Sequence, residues 1–176
     1  MTAVREQLLV ELVDETGNAT GSATVEAAHQ EPGQLHRAFS VILRDPAGRV
    51  LLQQRAAVKT RFALRWANSC CGHPAPGESL SEAANKRLAE ELGTAPIPLQ
   101  ELGVYAYRAA DEATGRVEYE YDHVLVGDVP ADLSCEPDPA EVAALGWVSA
   151  ADLRASLVAE PDKYAPWLSG VIALLP

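Results

Sequence analysis

A chain of 176 residues, 48% of them hydrophobic and 22% charged, can bury roughly 70% of its unfolded surface without disulfides or a structural metal. Its 25 acidic and 14 basic residues leave a net charge of −11, which excludes a general binder of nucleic acid or anionic membranes. Apolar runs such as Val50–Leu52 and Gly170–Leu175 are too short to cross a bilayer.

The first residues, MTAVREQLLVELVDETG, place acids where a secretory signal needs an apolar core. Adjacent Cys70 and Cys71 with a distant Cys135 make no disulfide framework. A reducing, cytoplasmic setting is expected. With no repeat and no linker in sight, one domain should span residues 1–176.

In chain order, Gln7 to Val13 reads as a strand closed by the turn Asp14-Glu-Thr-Gly-Asn. Arg37 to Arg44 and Arg49 to Arg55 predict a hairpin. Between them Asp45-Pro46-Ala47-Gly48 carries the residues of a type I turn. From Ser79 the period becomes helical. Ser79 and Glu82 match a capping box, Ala83, Ala84, Leu88 and Leu92 form an apolar stripe, and Gly93 stops the helix.

Leu99 to Arg108 and Arg116 to Val126 predict a second strand pair around Glu112-Ala-Thr-Gly115. In its second strand, period two puts Glu118, Glu120 and Asp122 on one face. The last third predicts a short helix near Ala140, a strand fragment at Gly146-Trp147-Val148, and helices over Ala150–Ala159 and Tyr164–Leu174. Strands interleaved with a few helices indicate an α+β or α/β sandwich.

Charge is unevenly placed. No acidic residue lies between Asp45 and Glu78, while Arg49, Arg55, Lys59, Arg61 and Arg65 do. A local positive field in an acidic protein suits a small anion, phosphate or carboxylate. Chance clustering on a solvated hairpin is the plainer reading. The histidines, at positions 29, 36, 73 and 123, are few enough to be structural or merely exposed. Imidazoles with the Glu118/Glu120 pair would suit a divalent ion of intermediate hardness, although spacing alone does not bring them together.

The segment NSCCGHPAPGESLSEAANKRLAEELG resembles the Nudix box, a loop-helix-loop whose helix carboxylates hold a metal against a diphosphate. It departs where a hydrolase needs Arg-Glu and this chain has Lys86-Arg87. One metal-binding carboxylate is thereby replaced by a guanidinium that forks onto phosphate oxygens. A Nudix fold that binds diphosphate without hydrolysing it follows.

Six segments in order, AAHQEPGQLHRAFS, QQRAAVK, RWANSCCGHP, RLAEELG, VEYE and YAPW, resemble the type I isopentenyl diphosphate isomerases from His29 to Trp167. The resemblance implies a Nudix-type α/β/α sandwich with a mixed β-sheet, and a metal site of His29, His36, His73, Glu118 and Glu120. It implies Cys71 and Glu120 as the catalytic pair. Glu91, with the Cys71 backbone carbonyl nearby, would hold a Mg2+ ion bridged to the substrate diphosphate. Arg55, Lys59 and Arg87 would contact the diphosphate, and Tyr107 and Trp167 would line the hydrocarbon pocket.

Five ligands exceed the four usual for structural zinc, so Mn2+, Mg2+ or an adaptable Zn2+ is expected. Where the family often has a lysine four residues before its first metal histidine, this chain has Val25. A missing phosphate contact would then fall to Arg61 or Arg65. His123 receives no role.

The implied reaction moves a double bond within a five-carbon diphosphate. Protonation of the terminal alkene carbon gives a tertiary carbocation, and loss of a proton on its other side completes the transfer. Acid and base must flank one small hydrocarbon in a dry pocket. The partner is this small molecule alone, with no nucleic acid, membrane or obligate protein partner. Two other readings are a Nudix hydrolase of nucleoside diphosphate compounds and a non-enzymatic metal-binding module on a decayed Nudix fold.

Overall fold

The computed structural model describes residues 2–176. Helix α1 (Thr2–Glu6) leads into β1 (Leu9–Val13) and β2 (Ala19–Thr24), an antiparallel pair, and then α2 (Val25–Ala28). Next come β3 (His36–Arg44), β4 (Arg49–Arg55), β5 (Trp66–Ala67) and β6 (Cys70–Gly72). Helix α3 (Leu80–Leu92) precedes the long strands β7 (Gln100–Asp111) and β8 (Arg116–Asp128). Strand β9 (Val142–Ser149), α4 (Ala150–Ala159), a 3-10 turn at Pro161–Lys163 and α5 (Leu168–Ala173) complete the order.

The sheet is mixed. Strands β7 and β8 are antiparallel, whereas residues 120–128 of β8 run parallel to the whole of β3. Alternation along these strands builds two cores. Val41, Leu43 and Leu125 face α3 with its Ala84, Leu88 and Leu92. Ile42, Val124 and Val126 face Leu153 of α4 and Leu168, Val171 and Ile172 of α5. Helices therefore cover both sheet faces, as the α+β sandwich expectation requires.

Helix α3 has the predicted ends: the Ser79 side chain accepts from the Glu82 N–H, and Gly93 takes the left-handed conformation at φ 66°. The predicted 37–44/49–55 hairpin is corrected. Its turn forms, with Asp45 Oδ1 accepting from the N–H groups of Ala47 and Arg49. Beyond the turn the strands separate, keeping only the Arg44–Val50 pairing. Residues Cys70–Gly72 take the β3 edge at Phe39–Val41, and β4 pairs with β9 instead. Local turn chemistry chose the corner, and long-range pairing chose the neighbours.

The helix expected near Ala140 is absent. A single turn, with Glu141 and Val142 N–H groups on the Asp138 carbonyl, delivers the chain into β9. That strand is longer than the predicted Gly146–Val148 fragment. The last helix starts at Leu168, not at Tyr164. Pro166 lacks an N–H and disfavours helical geometry at Ala165 before it, so helix begins only after Trp167.

One close approach in this layer bears on the site. A Cβ built on Gly170 of α5 would overlap the ring of Tyr105, which stacks on Tyr107 at 5.3 Å. Gly170→Ala should cost about 1–3 kcal/mol through overpacking. Thermal unfolding several degrees below wild type is the expected measurement, and an unchanged melting curve would refute the close fit.

Candidate active site

Strand β8 supplies the carboxylates. Glu118, Glu120 and Asp122 share a face as predicted, and all three are buried. The parallel register of β3 with β8 sets His36 beside Glu120. His29 follows α2, and its backbone carbonyl accepts from the Val117 N–H, which docks it against the same strand. His73 lies just past β6. Three imidazoles from distant segments thus enclose one point, with ring centroids 4.6, 4.8 and 5.2 Å apart.

The ligand atoms of His29, His36, His73, Glu118 and Glu120 all lie within 4.8 Å of one another. Ring orientation supports a metal. His29 Nδ1 donates to the Val25 carbonyl at 2.6 Å and His36 Nδ1 to the Gln34 carbonyl at 2.7 Å. In the neutral tautomer each therefore turns an Nε2 lone pair inward. His36 Nε2 is buried with no hydrogen-bond partner, and Glu120 Oε1 stands 3.7 Å away. A lone pair facing a carboxylate in a buried pocket wants a cation between them. Three neutral imidazoles and two carboxylates suit a divalent one.

Both carboxyls and His73 are held in the forms that donor set needs. Burial opposes charge on Glu118, but His29 and Arg61 overcome it and hold the carboxyl well below its usual range. Burial and Glu118 likewise oppose charge on Glu120, yet the neighbouring His36 and His73 imidazoles bring it to about 2. Burial lowers His73 to about 4, so its ring is neutral. Burial also works against protonation of His29, though the adjacent Glu118 wins and raises it. His36→Ala should weaken retention of a divalent metal at least tenfold, about the scale of losing even an outer contact. Elemental analysis after dialysis checks this, and unchanged metal content would remove His36 from the site.

A cavity of about 460 Å³ adjoins the cluster. Cys71, Tyr107, Glu120 and Trp167 line it, as do Arg55, Lys59 and Arg87. Tyr107 sits opposite Glu120 in the β7–β8 register, and its hydroxyl donates to Glu120 Oε2 at 2.7 Å. Burial, then the Glu120 charge, raises Tyr107 well above the ordinary phenol range. Burial raises the Cys71 thiol to about 12. At neutral pH the cavity wall therefore holds a thiol and an ionised carboxylate. Trp167 is buried, with Phe62 edge-on at 5.5 Å, Tyr107 tilted at 6.0 Å and the Arg55 guanidinium 5.4 Å from its ring centroid.

The basic groups are already partnered. Glu141 Oε2 accepts from Lys59 and, at 2.7 Å, from Arg87. Arg87 also pairs with Glu91, whose other oxygen accepts from Gln53 Nε2 at 2.9 Å. Glu91 is buried behind these cations, outside the set lining the cavity. Arg55 spends its Nε and Nη2 donors on the Arg61 and Phe62 carbonyls.

Arg61, a suggested stand-in for the missing lysine, bonds Glu118 Oε1 at 2.9 Å and Glu6 at 3.1 Å. Its guanidinium thereby neutralises a cluster carboxylate. Arg65 lies 3.9 Å from the exposed Asp162. Val25 opens α2, packed against Val10 and Ala28 at the cavity wall. His123 lies outside the cluster and bonds Glu101 at 2.7 Å.

Three participants escaped the sequence reading. Glu141 hides in a stretch read as helix, where nothing local marks a buried acid. Asn68 lies in the quoted RWANSCCGHP segment, and its side chain bonds both Cys71 and Trp167. Ser40 on β3 donates to the fully buried Asp122 at 2.7 Å and lies 3.6 Å from the Cys71 sulfur. Burial and the Glu120 charge raise Asp122 well above its ordinary range.

A NUDIX domain model matches residues 34–168. An isopentenyl-diphosphate Delta-isomerase of Nocardia farcinica is 65% identical, over 94% of this chain and 93% of its own length. One from Streptomyces coelicolor is 48% identical, over 95% of this chain and 83% of its own. Among solved structures, one from Deinococcus radiodurans aligns with a TM-score of 0.72 at 19% identity, covering 94% of this chain and 97% of that one. A MutT NUDIX hydrolase from Burkholderia pseudomallei gives 0.62 at 22%, covering 81% and 99%. At such identities these structures establish the fold alone. The sequence relatives go further, and the chain belongs to the isopentenyl-diphosphate Delta-isomerases of the Nudix superfamily.

Proposed function

We propose that the chain interconverts isopentenyl and dimethylallyl diphosphate, with Cys71 and Glu120 as the groups that move the protons. The observation carrying this assignment is the single cavity they share, with a half-buried thiol, a tyrosine-bonded carboxylate, an indole and basic side chains on its walls. The terminal alkene carbon takes a proton, the positive charge settles on the tertiary carbon, and the carbon on its other side gives a proton up. Cys71 starts as thiol and Glu120 as carboxylate, so the pair holds one proton to give and one place to receive. In the reverse direction the two exchange tasks. Trp167 and Tyr107 present aromatic faces to the cation, worth about 0.5–2 kcal/mol.

His29, His36, His73, Glu118 and Glu120 would hold a Mn2+, Mg2+ or Zn2+ ion. When bound, that ion supplies positive charge that orients Glu120 and sets its proton affinity. Glu91 and the Cys71 carbonyl would hold a Mg2+ ion arriving with the diphosphate. Arg55, Lys59 and Arg87 would take the phosphate oxygens, Lys59 and Arg87 exchanging Glu141 for the incoming anion. The whole chain, residues 1–176, works as one unit on a small isoprenoid diphosphate, without nucleic acid, membrane or protein partner. A reducing cytoplasm suits its three free thiols.

Purified protein incubated with isopentenyl diphosphate and Mg2+ should yield the dimethylallyl isomer. Released phosphate instead would indicate a hydrolase, and no reaction would indicate a binding module. For the clamp, Arg87→Ala should raise KM at least tenfold and lower kcat as the alkene loses its position. Steady-state kinetics with both constants unchanged would place the diphosphate elsewhere.

A further inference from the structure

Asn68 lies between β5 and β6, its side chain buried. Its amide is fully used. Nδ2 donates to the Val41 carbonyl at 3.1 Å and the Cys70 carbonyl at 2.8 Å. Oδ1 accepts from the Cys71 thiol at 3.2 Å and from the Trp167 indole N–H at 3.1 Å. The two carbonyls only accept and the indole only donates, so the amide has one orientation. A flipped amide would set oxygen against two carbonyls and nitrogen against the indole. Asn68 does not line the cavity, whereas Cys71 and Trp167 both do. One amide oxygen therefore joins the two walls, from residues 99 apart in sequence in the case of the indole.

We propose that Asn68 is a positioning residue for the isomerisation, its Oδ1 fixing both the thiol rotor of Cys71 and the plane of the Trp167 ring. The proposal rests on the reading that Cys71 and Trp167 act on the substrate. A thiol is free to rotate about its Cβ–Sγ bond, and one held by an amide oxygen at 3.2 Å, with only the Ser40 hydroxyl at 3.6 Å as a second polar neighbour, is not. The indole that faces the developing cation is held by the same atom, so neither wall shifts without the other. Because no diphosphate contact is involved, the effect belongs in turnover. A misplacement of about 1 Å at a reacting group can cost roughly 100-fold.

The test uses the full chain carrying Asn68→Ala, Trp167→Phe or both, with kcat and KM for isopentenyl diphosphate. The Cys71 S–H stretch is isolated by infrared difference against Cys71→Ala. Asn68→Ala should lower kcat about 10- to 100-fold with KM within about threefold, a split expected from lost positioning. Its S–H band should rise in frequency as the acceptor is lost. The two substitutions should combine less than additively, because they remove one shared junction.

If Asn68→Ala fails to fold, Trp167→Phe still decides. It keeps an aromatic ring and both backbone bonds of Asn68 and frees a lone pair for the thiol, so the S–H band should fall in frequency. An S–H band unmoved in the variants that fold, or normal kcat in Asn68→Ala, overturns the proposal. Full turnover in Cys71→Ser would instead sink the reading of Cys71, a different failure with a different signature.

Discussion

Cys71→Ser should lower turnover by roughly two to four orders of magnitude, the usual worth of a positioned acid or base. The geometry makes this a clean substitution. A serine hydroxyl can still donate to Asn68 Oδ1 and still face Ser40, the two contacts that hold the sulfur. Shape and anchoring survive, and what changes is acidity. Burial already raises the thiol to about 12, and the same burial acts on a hydroxyl that starts far higher. Proton exchange with the substrate then has no competent partner on that wall. The measurement is dimethylallyl formation, with deuterium uptake from heavy water at the terminal methyl and the new vinylic position. Near-normal turnover with normal isotope uptake would make Cys71 a pocket wall and turn attention to Tyr107.

The parts legible in the sequence were those governed by near neighbours. Period two along Arg116 to Val126 put Glu118, Glu120 and Asp122 on one face, and β8 keeps them there, buried. The ends of α3 were readable because Ser79 and Gly93 act within one turn of backbone. The β3–β4 pairing was misread for the complementary reason. Asp45 determines only the corner, and the partner of β3 is chosen by burying Val41 and Leu43 against α3 and by the arrival of β6. Composition could propose that imidazoles and carboxylates share an ion. Bringing His36 to Glu120 takes a parallel register across 84 residues, which no local pattern encodes. Arg61 was visible as a base in an acid-free stretch, but its partner Glu118 was 57 residues away. Charge patterning identified a positive region without revealing that Glu91 and Glu141 already pair with Lys59, and Glu6 and Glu118 with Arg61.

Glu120→Gln should lose at least as much turnover as Cys71→Ser, and for two separable reasons. The amide cannot carry the proton, and it removes one of two negative charges from the His/Glu cluster. Weaker metal binding follows from the second. The same substitution also costs the unbound protein. Glu118 opposes ionisation of its neighbour, yet the fold as a whole holds the Glu120 carboxyl down at about 2, so the ionised group stabilises the folded state at neutral pH. Neutralising it gives up that contribution, while an amide oxygen can still accept from Tyr107 in place of Glu120 Oε2. The metal-free variant should therefore unfold below the wild-type temperature, besides being nearly inactive. Added Mn2+ should raise its melting temperature less than it raises that of wild type, because stabilisation by a ligand follows its affinity for the folded state. At saturating metal the residual defect isolates the proton-carrying part. Combining Glu120→Gln with Cys71→Ser should then add little to the larger single loss, since each group serves one half of the same transfer. Fully multiplicative losses would separate the two residues mechanistically. Normal turnover in metal-saturated Glu120→Gln would confine Glu120 to holding the ion.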